Sequence, residues 1–241
     1  MKRIISAFLA IMLACTIFPC GNVKAASDKK EAGEAYAVII QKYLDAYEAV
    51  KDNNYDAVDE DVNAEYLGAF YNKSDVPVYR IFDFNGDGSL ELFIGVKQDN
   101  TYVTIYDVYT FQNGKAVQLM NGIGYRAGTC SLRKNGIIAD NWSGSAFESG
   151  VIYHKLPKNK TKLSDVVEVQ YITNEKTGKM TYKKIVKGKT TTITEAQAKK
   201  IEKKYSAKQK VTFYQLTSKA VKNVKQGKLT YSGQKNWKAT T

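Results

Sequence analysis

The stretch Asp83-Phe84-Asn85-Gly86-Asp87-Gly88-Ser89-Leu90-Glu91 constrains this chain more than any other. It lies between two apolar runs, Val76 to Phe82 and Leu92 to Val96. Oxygen-bearing residues fall at alternate positions (Asp83, Asn85, Asp87, Ser89 and Glu91) around two glycines. Gly86 and Gly88 allow a sharp turn and the positive φ angles it needs. Alternate residues of a tight loop can turn their oxygens inward, and calcium is a hard cation that takes six to eight oxygens. In that reading Asp83, Asn85, Asp87 and Glu91 offer side-chain oxygens and Ser89 its backbone carbonyl. Leu90 would anchor the loop on the core. The competing reading is a bare turn, because Asn85-Gly86 and Asp87-Gly88 are turn dipeptides in their own right. A bare turn needs only one such pair. It leaves the alternating donors unexplained, and three crowded carboxylates repel one another without a cation. Magnesium fits less well, since it keeps several of its waters.

On both sides of this loop the apolar period is two. Val76, Val78, Ile81 and Phe82 precede it, and Leu90, Leu92 and Ile94 follow it. Further strands are expected over Tyr102 to Phe111, Ala116 to Met120, Gly136 to Ala139, Gly150 to His154, Val166 to Ile172 and Met180 to Val186. Asn113-Gly114 is a hairpin turn signal between the first two of these. Before the loop, Tyr36, Ile39, Ile40, Tyr43, Leu44 and Tyr47 recur at spacings of three and four, which predicts an amphipathic helix from Gly33 to about Val50. Thr194 and Gln197 form a capping box opening a short helix with Ala198, Ile201 and Tyr205 on its apolar stripe. Val211 to Leu216 is apolar but of undecided type. The expected fold is α+β: an N-terminal amphipathic helix, an antiparallel meander of about seven to nine strands, a short C-terminal helix and a basic tail.

Met1-Lys2-Arg3, the apolar run Ile4 to Phe18 and the small residues up to Ala25 read as a secretory signal peptide over residues 1–25. The run falls short of the ~20 residues a membrane-spanning helix needs. Met12-Leu13-Ala14-Cys15 offers an alternative, a degenerate lipoprotein box that would leave Cys15 lipidated. Both routes lead out of the cytoplasm, to the medium, the cell surface or a lipid anchor. With cleavage after Ala25, Cys130 stands alone, and a lone Cys is expected to be a small buried apolar residue. Residues 26–216 are then expected to form one domain. Residues 217–241 are expected to be a flexible Lys-rich tail, since they are poor in apolar side chains.

Charge divides the mature chain. Residues 26–150 carry 11 basic and 19 acidic residues, whereas residues 151–241 carry 22 Lys, no Arg and 5 acidic residues. The acidic part suits a cation. The basic part suits an anionic partner such as a cell-wall polymer or lipid headgroups, or is simply a solvated surface. Lys without Arg argues against specific nucleic-acid readout.

Little else carries chemistry. His154 is the single His, which excludes zinc sites built on several His. No phosphate-binding Gly-rich loop is present. Trp142, in Asp140-Asn141-Trp142-Ser143-Gly144-Ser145, is expected in a polar loop, either stacking on a sugar or peptide or folding over a sheet end. No activity is legible, and the expectation is a non-enzymatic protein. The alternative is a secreted hydrolase using two carboxylates ~5–10 Å apart in a cleft.

The Asp83–Glu91 segment resembles the calcium loops of EF-hand, dockerin and integrin-type repeat proteins. It departs from the EF-hand, because its twelfth position is Ile94 rather than a bidentate Glu and its flanks read as strands. It is closer to repeats of the Asp-x-Asn-Gly-Asp-Gly-x-x-Asp/Glu type, in which the ninth residue, here Glu91, closes the shell. Tyr79 to Gly95, Ile105 to Gly114 and Gly122-Ile123-Gly124-Tyr125-Arg126 together resemble a group of uncharacterised secreted proteins and lipoproteins of Gram-positive bacteria. That likeness implies a β-rich surface or secreted domain and no activity.

Overall fold

The computed structural model describes residues 20–70, 72, 74–98, 102–120 and 129–240. Cys15, most of the expected leader and the 122–126 stretch lie outside them. The described residues open with helix α1 (Cys20–Lys51), followed by a one-turn helix α2 (Ala64–Leu67). Four strands come next: β1 (Val76–Phe82), β2 (Glu91–Gln98), β3 (Tyr102–Gln112) and β4 (Lys115–Met120). Six more follow: β5 (Thr129–Arg133), β6 (Ile137–Ser145), β7 (Glu148–Lys155), β8 (Ser164–Thr173), β9 (Met180–Val186) and β10 (Lys189–Ile193). Helix α3 (Glu195–Lys204), strand β11 (Lys210–Gln215), helix α4 (Ser218–Lys225) and strand β12 (Asn236–Thr240) complete the order.

These strands form two six-stranded sheets, ordered β12-β11-β1-β2-β3-β4 and β10-β9-β8-β7-β6-β5. Every described pairing is antiparallel. The expected α+β meander of seven to nine strands is therefore corrected. The described residues are mostly β, with twelve strands in two sheets and four α-helices, the main one preceding the strands. Strands β5, β10 and β12 were hidden by composition. In β10, Lys-Thr-Thr-Thr-Ile is exposed at four of its five positions. Its β-branched Thr favour a strand while giving no apolar alternation to detect.

The molecule is layered. One face of the first sheet presents Tyr79, Ile81, Leu92, Ile94 and Val96 to Tyr36, Ile40, Tyr43 and Leu44 of α1 and to Ala220 and Val224 of α4. The opposite face presents Val78, Phe93, Ile105, Val108 and Phe213 to Cys130, Leu132 and Ile138 of the second sheet. The far face of the second sheet packs Val151, Tyr153, Val167 and Val169 on Ala198, Ile201 and Tyr205 from α3 and its C-cap. The order is helices, sheet, sheet, helix. Strand β2 runs through the middle and is buried at seven of its eight positions, as a strand covered on both faces must be.

The Lys-rich segment expected to be a flexible tail carries α4 and β12. Strand β12 pairs with β11, and β11 returns to pair with β1, so this segment supplies one edge of the first sheet. Tyr79 ties this segment down: its hydroxyl donates to the Leu229 carbonyl at 3.0 Å and accepts from Gln234 Nε2 at 3.1 Å. Trp142, expected in a loop, is in β6.

Candidate metal centre

The loop sits between β1 and β2, whose last register pair is Phe82 with Glu91. Asp83 organises it. Its Oδ1 accepts from the backbone N–H of Gly86 at 2.7 Å and of Asp87 at 3.1 Å, and its Oδ2 from that of Gly88 at 2.9 Å. This wrap needs φ of +75° at Gly86 and +90° at Gly88, values that glycine adopts without a Cβ penalty. Asn85 Oδ1 accepts from Asp87 N at 3.1 Å, and Asp87 Oδ1 from Ser89 N at 2.8 Å. The alternating side chains thus fold the loop on themselves. Leu90 packs on the α1 side of the first sheet, and its carbonyl accepts from the Tyr36 hydroxyl of α1.

The loop also reaches the second sheet. Asp87 Oδ2 accepts from the Asn159 backbone N–H at 2.7 Å, in the β7–β8 connection. Asn85 lies against Gly136, where a Cβ would come within 2.9 Å of the Asn85 side chain. Burial works against the charge of Asp87. The bonds from Asn159, Ser89 and Asn85 outweigh it and hold its carboxyl below the usual range.

Glu91 lies at the root of the loop and is 0% exposed. Its Oε2 accepts from Phe84 N at 2.8 Å and its Oε1 from Thr110 Oγ1 at 3.0 Å. A carboxylate has about four lone-pair sites, so two donors leave it half satisfied. No cationic side chain pairs with it among the described residues. Burial pushes its carboxyl up to about 7, with Asp87 and Asp83 adding to the rise against the two hydrogen bonds. A buried carboxylate held this way gains from a nearby cation.

The five expected residues are therefore gathered in one loop, but their carboxylates are turned to N–H and O–H groups. Among the described residues no three His, Cys, Asp or Glu side chains converge as a metal set. The donor chemistry fits a hard divalent cation, being all oxygen, with three carboxylates of which Glu91 keeps unused lone pairs. Sequence reasoning missed Thr110 and Asn159, which complete the surroundings. Their roles come from pairing across the fold, and nothing local marks them.

The remaining candidates separate clearly. Cys130 is buried and free, and burial pushes its thiol far up, which suits packing and not nucleophilic chemistry. The Trp142 indole lies over Gly150, where a Cβ would meet it at 2.7 Å, and its Nε1 is buried with no partner. His154 Nδ1 is 2.7 Å from Asp165 Oδ1, and Nε2 is 3.7 Å from Asp140 Oδ2. A groove of about 930 Å³ runs between α1, β4 and residues 60–65. Tyr43 and Gln118 line it and cover the buried Asp107, to which both donate.

No family model matches this chain, and no curated protein matches it. A solved chain described as "Structure of a Xanthomonas Type IV Secretion System related protein" aligns with 14% identity and a TM-score of 0.33. The alignment covers 48% of this chain and 58% of that chain, so this chain spans just over half the length of that neighbour. A likeness at that level carries no argument about function.

Proposed function

We propose that this chain is an exported, non-enzymatic bacterial surface or secreted protein whose 83–91 loop binds calcium as a structural clasp. Its Lys-rich half is the side that meets an anionic wall polymer. The observation that carries the calcium reading is Glu91, a fully buried carboxylate with two hydrogen bonds and no described cation, at the root of an all-oxygen loop. Asp83, Asn85, Asp87 and Glu91 would supply side-chain oxygens, with the Ser89 carbonyl beside them. Because Asp87 also holds Asn159, an ion there would fix the loop against both sheets. The apolar run from Ile4 to Phe18 behind Met1-Lys2-Arg3 supports export, and no described helix is long and apolar enough to cross a membrane.

Calorimetric titration tests the reading. Calcium is expected to bind one site at ~10⁻⁴–10⁻³ M, the range of extracellular modules. Asp83→Ala is expected to abolish that heat, and a wild type with no saturable heat up to ~10 mM calcium contradicts the assignment. Wall binding is tested separately. Retention on purified walls should fall steeply from low to moderate salt, and salt-insensitive retention contradicts an electrostatic partner.

A further inference from the structure

A second cavity, of about 320 Å³, lies between the second sheet and the C-terminal end of α3. Arg133 at the end of β5, Lys134 from the β5–β6 turn, Lys155 at the end of β7, and Lys204 and Tyr205 at the end of α3 line it, with no carboxylate among the lining residues. The Arg133 guanidinium is only partly satisfied. One terminal nitrogen donates to Ser131 Oγ at 3.1 Å, while Nε is buried and has no partner. Among the described residues no acid forms an ion pair with Arg133, Lys134, Lys155 or Lys204. Of the acids around it, Asp140 and Asp165 are engaged by His154, and the C-terminal end of α3 brings a partial negative charge. Glu202 is engaged by the Tyr171 hydroxyl. A helix end amounts to about −0.5 charge, which four cations exceed.

Buried guanidinium N–H groups are costly to leave unmade, and four unopposed cations around one cavity repel one another. The repulsion falls if an anion sits between them. We propose that this cavity is an oxyanion site for a phosphate group, with Arg133 as the fork that orients it. The planar guanidinium presents paired donors suited to two oxygens of one phosphate, and the three lysines add charge without fixed geometry. Tyr205 forms the apolar wall. Its ring is stacked on Tyr153 with centroids 4.6 Å apart, and the Lys204 ammonium lies 5.2 Å from the centroid of the Tyr205 ring. The volume is at the lower end of small-molecule pockets, enough for a phosphate and its nearest substituents. The inference gives the anionic-partner reading a defined place and rests on that reading only for the polymeric source of the phosphate.

The test is calorimetric binding of inorganic phosphate to the full chain, repeated in competition with a glycerol-phosphate diester polymer. Wild type should bind phosphate saturably. Arg133→Gln should weaken binding about tenfold, the loss of one charge-assisted hydrogen-bonding fork. Lys204→Gln, at an exposed position that leaves folding intact, should weaken it several-fold. The paired control Lys176→Gln and Lys187→Gln, on exposed turns away from the cavity, should leave binding within about twofold. Absence of saturable phosphate binding, or equal weakening by the control pair, overturns the site. Competition by the diester polymer supports a polymeric source. Phosphate binding without such competition supports the site and contradicts the wall-polymer reading.

Discussion

Two carboxylates, Glu91 and Asp107, are fully buried in neighbouring strands of the first sheet. Glu91 faces the loop, and Asp107 faces α1, where the Tyr43 hydroxyl and Gln118 amide donate to it. Burial pushes Asp107 up to about 6 despite those bonds, from an ordinary value near ~3.9. The native state therefore favours its protonated form. Its stabilising contribution is complete below pH ~3.9 and is lost as pH rises through about 6. Urea unfolding at pH 4 and pH 7 checks this. Relative to Asp107→Asn, wild type should lose about 1–3 kcal/mol between the two pH values, and an unchanged difference contradicts the assignment. At this scale the alternating donors of the loop were legible because their spacing is local. Thr110 and Asn159 were not, because they meet the loop only through strand pairing and the approach of the second sheet.

At the scale of elements, α1 was legible from its apolar stripe, and its close crossing with α4 was not. Gly33 sits at that crossing: a Cβ there would lie 2.2 Å from the Val224 carbonyl oxygen. Gly33→Ala gains about 0.5–1 kcal/mol of helix propensity. It also forces two backbones apart, at about 1–3 kcal/mol for overpacking. The clash should win, lowering the urea midpoint, and a raised midpoint would show that α4 does not pack as described. The tail was misread because its lysines dominate the composition. Ala220 and Val224 stand four residues apart on one face of α4, and both are fully buried. Limited proteolysis separates the two pictures. Residues 217–240 should resist cleavage as long as the core does, whereas rapid trimming back to about Leu216 contradicts a folded segment.

For the whole molecule, the sequence pointed to strands, turns and a metal-type loop, yet it could not show that they divide into two stacked sheets. Both sheets are antiparallel and carry packed side chains on both faces, so their local patterns look alike. The neighbouring strands β2 and β3, buried on both faces, mark a sheet sandwiched between layers. The topology gives the loop its importance. It hangs from the first sheet, accepts from Tyr36 of α1 through the Leu90 carbonyl, and holds Asn159 beside the second sheet through Asp87. An ion bound there, as proposed, would stabilise the arrangement of layers and not one turn alone. Thermal unfolding of wild type and Asp87→Ala, each in ~10 mM calcium and in excess chelator, tests this most directly. At about 100 times Kd, calcium should add ~2.7 kcal/mol to the folded state. That corresponds to a rise of ~5–10 °C in the wild-type Tm, with little or none in Asp87→Ala. A wild-type Tm that is the same in calcium and in chelator would contradict the calcium clasp.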